Sequence, residues 1–425
     1  MRRPGGMDNE GKGGISPPMT GEIDTDVVIA GGGLVGGALA LALAQAGLRS
    51  VVCDPAPGGP EGVTGRSYSL NLSSVRMLKA LGLWDALEPD AQPILDIYVS
   101  DERLGRGASP LHLHFDHREI GEGPMGHMVE DRHLRPALDA ALDGEPRIGR
   151  RGTTVKGLDL APAGITASAD APIRARLLVA ADGRGGHLPE DAGIRRQVKP
   201  YGQSSLTATL GTGRDHGGAA HQMFRPAGPL ALLPLRGRRI GVVWTETADE
   251  AGRVAALPDH AFLDHLRPLV GGLFGDLTLE GGRAAWPLTL VLAERLVAER
   301  VALAGDAAHG LHPIAGQGLN AGLKDAAALA EALRDARRSG IDIGSRFPLE
   351  TYQRWRRFDA ASMAMATDGV NALFSNASPA LRGLRAFGLG AVNAVPPLKR
   401  ALIREAAGLA GDLPLLMRGE PLGAR

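Results

Sequence analysis

Short apolar runs that end in glycine or an acid recur along the chain, and between them apolar residues return at helical spacing. Asp26 to Ala30 (D-V-V-I-A) is strand-like, Leu34 to Ala46 is a helix of small residues closed by Gly47, and Ser50 to Cys53 is a second strand. Leu177 to Ala181 is another short apolar strand, stopped by Asp182, Gly183 and Arg184. Val301 to Ala304 repeats the pattern with Asp306 at its carboxyl end, and Gly316, Gly318 and Asn320 precede a helical run beginning at Leu319 and Leu323. This order predicts an α/β fold with a Rossmann-like nucleotide-binding unit.

Other segments have strand length and apolar content bounded by Gly, Pro or charge: Ile94 to Ser100, Leu111 to Phe115, Ser205 to Gly211, Leu230 to Leu235 and Ile240 to Trp244. They are assigned to a second sheet, so the nucleotide unit is interrupted by a β-rich substrate domain. The expected organisation is a disordered tail over 1–24, a nucleotide domain over 25–190 holding second-sheet strands near 94–120, and a substrate domain over 191–283. The nucleotide domain returns over 284–350, and a C-terminal helical region covers 351–425. The tail is rich in Gly, Pro and charge and has no apolar core segment, which argues against a signal peptide.

The glycines carry the chemistry. Gly31, Gly33 and Gly36, with Leu34 and Val35 between them, form G-x-G-x-x-G between a strand and a helix, and Asp54 ends the next strand. An acid about 20 residues beyond the first glycine is what ribose hydroxyls require of a dinucleotide fingerprint. In the second Gly-rich turn, Gly316, Gln317, Gly318, Leu319 and Asn320 open a helix, so backbone N–H groups and the positive end of the helix dipole point at whatever docks there.

Composition removes several alternatives. A chain of 425 residues with 44% hydrophobic positions can bury a large core, and 47 basic against 47 acidic residues leave no field for nucleic acid. A single cysteine excludes an intramolecular disulfide and a cysteine metal cluster, and suits a reducing cytoplasm. No apolar run approaches the roughly 20 residues that span a bilayer. His309 and His312 flank the second Gly-rich turn, but no carboxylate or cysteine accompanies them at ligand spacing, so no metal is expected.

The order G-x-G-x-x-G, then Asp182-Gly183, then Gly305-Asp306 with Gly316-Gln317-Gly318 resembles the para-hydroxybenzoate hydroxylase fold of FAD-dependent aromatic monooxygenases. The segments Gly65 to Trp84, Val129 to Leu138, Gly228 to Leu235, His312 to Asn320 and Thr367 to Ser375 are similar to the ubiquinone-biosynthesis (UbiH-type) branch. The resemblance implies FAD, NAD(P)H as reductant, and oxygen transfer from a flavin C4a-hydroperoxide to a prenylated phenol or quinone precursor. It implies that the first motif holds the ADP half of FAD, that Asp182-Gly183 lies near the pyrophosphate and the nicotinamide approach, and that Asp306 holds the ribityl and pyrophosphate region. It places Arg66 near the pyrophosphate, Arg132 within reach of FAD, and Pro313 beside the flavin ring. His221 is a candidate base for the substrate phenol, although a histidine there is more often a plain strand residue.

The resemblance also carries expectations about partners: other ubiquinone-biosynthesis enzymes, a homo-oligomer, and peripheral contact with the inner membrane surface. Leu398, Leu402, Ala406 and Leu409 fall on one helical face beside Lys399, Arg400 and Arg404, a surface for lipid or for the protein's own core. The chain departs from the family after Asp182-Gly183, where relatives continue with a serine and an arginine and this sequence has Arg184, Gly185, Gly186 and His187. Arg184, Arg195 and Arg196 are the residues available to compensate. Two further readings share these residues: a flavin-dependent reductase of a prenyl-type substrate, and a non-catalytic FAD or quinone-precursor binder.

Overall fold

The structure is a computed structural model that describes residues 23–56, 65–102, 108–161, 163–310, 316–357, 359 and 392–423, with only the backbone at 102 and 108–111. Most of the expected tail, and Pro313, His312 and Thr367 to Ser375, lie outside the described residues.

The nucleotide unit forms as expected. Its central strands are β1 (Thr25–Ala30), β2 (Ser50–Cys53), β8 (Ile148–Arg151), β11 (Ile173–Ala180), β17 (Val297–Ala298) and β18 (Val301–Leu303), in the spatial order β17-β18-β11-β1-β2-β8. All neighbours from β18 to β8 are parallel, and a hairpin of β9 (Gly157–Ala161) and β10 (Gly164–Ser168) joins through β11. Parallel strands are covered on both faces, which is why Val27, Val28, Ile29, Leu177, Leu178 and Val179 are all fully buried. Helices Leu34–Gln45 and Gln317–Arg338 pack against this sheet. A Cβ at Gly37 would lie 2.8 Å from Leu138 Cδ2, so the first helix is built of small residues to let helix Asp131–Gly144 approach it closely.

The second sheet has the order β19-β16-β12-β15-β14-β13-β5-β6. Its strands are β5 (Asp96–Glu102), β6 (Ala108–Asp116), β12 (Arg196–Thr212), β13 (Ala219–Phe224), β14 (Leu230–Leu235), β15 (Arg239–Thr247), β16 (Leu277–Ala293) and β19 (His309–Gly310). All five expected segments fall in it, the first from Asp96 onward. Ile94 instead ends β4 (Gln92–Ile94), which with β3 (Ser67–Asn71) and β7 (Gly126–Glu130) makes a third sheet in the order β3-β7-β4. The border expected between 283 and 284 falls inside β16, which pairs with β12 from Arg196↔Ala293 to Thr212↔Leu277. That ladder carries the second sheet to residue 293, and β19 carries it on to Gly310.

Strand alternation gives this sheet two faces. On the outer face Leu206, Ala208, Leu210, Leu230, Leu232, Ile240, Val242 and Trp244 pack against helices Ala248–Ala255 and Asp259–Val270. On the inner face Leu113, Phe115, Ala220 and Leu235 pack with Ile94 and Met128 of the third sheet, with Met125 just before β7, and with Ile403. Ile403 is the core anchor of helix Pro396–Ala406, so the apolar face expected there is divided. Leu409 is buried, whereas Leu398 and Leu402 stay 46% and 37% exposed. Lys399 and Arg404 are drawn to Glu119 at 2.5 Å and Glu122 at 3.4 Å. Among the described residues no helix is long and apolar enough to cross a membrane.

Candidate cofactor and substrate site

Because β1, β2, β11 and β18 are parallel neighbours, the chain leaves all four at one edge, where open α/β sheets hold their ligands. The turns are stitched together there: Gly31 N–H donates to the Cys53 carbonyl at 2.8 Å, Ala181 N–H to Ala30 at 2.8 Å and Ala304 N–H to Ala180 at 2.9 Å. Gly31, Gly33, Leu34, Val35, Gly36, Asp54, Asp182, Gly183 and Asp306 therefore converge, as the sequence spacing predicts. Gly31 has φ +101°, and a Cβ on it would run into the Ala181 carbonyl oxygen. A Cβ on Gly36 would run into the Gly31 carbonyl oxygen, whereas one on Gly33 would meet nothing within 4 Å. The loop is tight toward the protein and open outward.

Asp54 closes one side of this edge. Its carboxylate accepts the Gly32 N–H at 2.7 Å and the Ala56 N–H at 2.8 Å. Beside it lies a cleft of about 450 Å³ bordered by Gly32, Asp54, Asp139, Asp143, Arg150 and Arg151, within the usual range for small-molecule sites.

Two helix starts face the edge without caps. Helices Leu34–Gln45 and Gln317–Arg338 begin at Gly33 and at Gly316, which has φ +63°; neither has a side-chain cap or an acid in its first turn. Asn71 and Thr247, by contrast, cap their own helices. The first-turn N–H groups are thus left to an outside acceptor. Leu34 and Leu319 turn their side chains into a shared cluster with Leu138 and Leu323, and Val35 fills the space between Gly305 and Gly322. These residues, with Gln317 and Gly318, offer backbone. Asn320 does not offer its side chain: it accepts the Asn71 N–H at 3.0 Å and donates to the carbonyls of Ser69 at 2.8 Å and Gly316 at 3.1 Å, bracing the turn against β3.

The departure after Asp182-Gly183 has a geometric account. The Asp182 carboxyl group folds back over Gly186, where any Cβ would collide with it. Its Oδ1 is buried and unpartnered, and burial holds its pKa above the usual carboxylate value. Arg184 reaches across the edge, donating from Nε to Asp306 Oδ2 at 2.8 Å and from Nη1 to the Thr289 carbonyl at 3.1 Å. Arg196 braces the loop through the Gly186 carbonyl and Glu190, and Arg195 only pairs with Glu294 on the surface. Of the three arginines, Arg184 joins the two turns, so the Asp306 carboxylate is ion-paired as well as half-exposed.

Beneath Asp306 lies a network the sequence reading missed. Asp325 is fully buried and accepts from the Gly305 N–H at 2.9 Å, His309 Nε2 at 2.6 Å and Arg356 Nε at 2.8 Å. Tyr352 Oη donates to the Leu303 carbonyl at 2.7 Å. Burial opposes both charges of the His309–Asp325 pair; their mutual attraction outweighs it, raising the histidine and, with Arg356, lowering the acid. The available signal was an acid in the alanine-rich stretch Lys324-Asp325-Ala326-Ala327-Ala328, where a helix face turns inward.

The remaining candidates divide. Arg66 stacks on Tyr68 and Trp286, 5.3 and 5.9 Å from the ring centroids, at the edge of the substrate sheet. Arg132 is largely exposed and pairs with Glu130, which is also held by Arg239 through two bonds of 2.9 Å. His221 stacks on Tyr98 at 5.1 Å and meets Phe274 edge-on at 5.7 Å. Phe274 belongs to the outer core, so the His221 ring lies on the sheet face turned away from the cofactor edge, and its position carries no role as substrate base. Burial, then the His112 charge, pushes it down to about 4.

These features suit a long dinucleotide such as FAD: a ribose-facing acid, an open Gly turn, two uncapped helix starts and an unsatisfied buried oxygen on Asp182. A family profile described as FAD binding domain matches residues 24–367. The chain is 43% identical over 416 residues to the ubiquinone hydroxylase UbiL of Rhodospirillum rubrum, covering 95% of this chain and 96% of that one. It is 33% identical over 406 residues to the 3-demethoxyubiquinol 3-hydroxylase of Escherichia coli, covering 91% and 99%. The solved structure of p-nitrophenol 4-monooxygenase PnpA from Pseudomonas putida shares the fold, with a TM-score of 0.75 at 21% identity over 92% of this chain and 98% of that one.

Proposed function

We propose that this chain, which belongs to the FAD binding domain family and is an FAD-dependent monooxygenase, hydroxylates the aromatic ring of a prenylated phenol in ubiquinone biosynthesis, with NAD(P)H and dioxygen as co-substrates. The observation that carries the aromatic-ring reading is the inner face of the second sheet. Thr207, Gln222, Leu233 and Val243 lie mid-sheet yet remain only partly buried, on the face that meets β3 at Gly241 and Ser67, while Ser69 of β3 meets Gly316.

Bound FAD supplies the redox chemistry that activates dioxygen and delivers one oxygen atom to the ring. The chain's own residues hold it. Asp54 would take the adenosine ribose, the N–H groups from Gly33 to Gly36 the pyrophosphate, and Asp182 with the paired Asp306 the polyol between. The N–H groups from Gln317 to Asn320 would face the pyrimidine edge of the flavin, where reduction places negative charge, and the helix dipole favours that charge. Leu233, Leu235 and Val243 on the inner face would help to keep water from the reacting centre.

Val395, Leu398 and Leu402, exposed beside Arg400, form the surface at which a bilayer-soluble substrate would arrive. Co-sedimentation with anionic vesicles tests that contact. The hydroxylase reading is tested by supplying heavy-isotope dioxygen and NAD(P)H to the flavin-loaded protein with a short-chain prenylphenol. The expected product carries one heavy oxygen atom on the ring. Flavin reduction without oxygen incorporation would instead support the reductase reading.

A further inference from the structure

The two faces of the β12–β15 pair differ in chemistry. The outer face is apolar over most of its length, with Leu206, Ala208 and Leu210 beside Ile240, Val242 and Trp244, and its polar end, Ser204 and Glu246, is satisfied by Arg225 and Trp244 Nε1 at Glu246. The inner face carries Ser205, Thr207 and Thr209 on β12 and Thr245 on β15, in the register Ser205↔Thr245, Thr207↔Val243 and Thr209↔Gly241. Ser205, Thr209 and Thr245 are 4%, 2% and 1% exposed, and none of their hydroxyl oxygens has a hydrogen-bond partner. A strand at these positions asks for a β-branched residue, and valine would meet that need without burying a hydroxyl. Three unsatisfied hydroxyls on one face are unusual in a folded interior and point to a partner that comes and goes.

The wall stands within a ring's reach of the cofactor edge. A Cβ on Gly316 would lie 3.0 Å from Ser69 Cβ, and one on Gly241 would lie 3.2 Å from Ser67 Oγ. Both contacts fall on β3, two residues apart, which is roughly 7 Å of strand. Ser67 packs over Gly241 beside Thr209, whose Oγ1 would be 3.4 Å from a Cβ on Gly65. Within β12 and β15 the wall itself is neutral. Arg239 at its end is taken up by Glu130 at 2.9 Å and Glu280 at 2.7 Å.

We propose that Ser205, Thr209 and Thr245, with Thr207 between them, bind the ring oxygens of the substrate and thereby set which ring carbon faces the cofactor. The substrate class is a neutral phenol or hydroquinone: hydroxyls can both donate to and accept from such oxygens. This inference rests on the aromatic-hydroxylase reading given above.

The test uses the flavin-loaded holoenzyme and two probes, 2-prenylphenol and prenylbenzene, titrated by the change in flavin absorbance. The wild type is expected to prefer the phenol by about tenfold or more, and Thr209→Val or Ser205→Ala to cut that preference roughly five- to tenfold, the size of one neutral hydrogen bond. Thr209→Ser should restore it, and the valine variant should divert a larger share of reductant to hydrogen peroxide. FAD content reports folding of each variant, and the conservative Thr245→Val stands in if one fails to load flavin. Unchanged preference in flavin-loaded valine and alanine variants, with hydroxylation intact, overturns the wall and leaves the hydroxylase reading standing. A wild type that binds neither probe overturns both.

Discussion

Replacing Asp325 by asparagine should separate the charge of the buried network from its shape. The carboxylate accepts three bonds of 2.6 to 2.9 Å, from His309, Arg356 and the Gly305 N–H, and sits at 0% exposure. An amide keeps one acceptor oxygen and turns an N–H₂ group toward donors, so at least one bond is lost and Arg356, itself 2% exposed, loses its buried carboxylate and keeps only Asp359, 2.8 Å from Nη1. Breaking one partner of a buried ion pair typically costs about 3 to 5 kcal/mol, a large part of a total stability of roughly 5 to 15 kcal/mol. Losing the anchor of the Gly305 N–H also frees the turn that carries Asp306. One charge-assisted bond, about 1.5 to 3 kcal/mol, corresponds to FAD affinity roughly ten- to 150-fold weaker. Urea unfolding followed by tryptophan fluorescence gives the first quantity, and titration of apoprotein with FAD gives the second. A loss below about 1 kcal/mol together with FAD affinity within about twofold of wild type would falsify the assignment of Asp325 as the keystone of the turn.

Three other substitutions probe separate parts of the site. Gly36→Val should abolish FAD binding, because even its Cβ would collide with the Gly31 carbonyl; normal flavin content after purification would show that loop to be merely structural. Asp306→Ala should weaken FAD by roughly five- to 150-fold and leave Arg184 without its carboxylate, and the double variant with Arg184→Ala should recover part of that loss if the uncompensated cation contributes to it. His221→Phe should keep the stack on Tyr98 and Phe274 and leave hydroxylation intact. The folded state holds His221 down to about 4, below its ordinary 6.5, so the unfolded chain binds the extra proton; this part of the stability is present above pH 6.5 and lost as pH falls toward about 4. Denaturation midpoints of the phenylalanine variant should fall less steeply across that window, and a parallel decline would remove His221 as a source of acid sensitivity.

The cofactor half of the site was legible in the sequence because its chemistry is made of backbone. Gly31, Gly33 and Gly36 and the acid at Asp54 announce themselves by spacing, and parallel strands deliver them to one edge. Residues that act through side chains across long separations were not legible. Asn320 reads as a ligand beside Gly316, but its amide is claimed by Asn71 and Ser69, far away in the chain. Arg184 reads as a lost motif until its reach to Asp306 is seen. His221 failed for a different reason: strand alternation gives two faces, and sequence does not say which one meets the cofactor. The border after residue 283 fell inside β16 because a bulged strand with glycines at 281 and 282 looks like a linker.

The two-faced sheet separates what must persist from what can drift. Along β12, even-numbered residues from Leu206 to Leu210 pack on the helical layer, while odd-numbered residues from Ser205 to Thr209 lie on the inner face, the side proposed for the substrate. On that proposal, substitutions at the odd positions would change what the pocket accepts and leave the packing of the even positions alone. A lineage carrying this strand can therefore explore new ring substrates by single-letter changes without first acquiring a stability reserve. On that reading, divergence at every second residue of one strand is a route by which one hydroxylase could give rise to several.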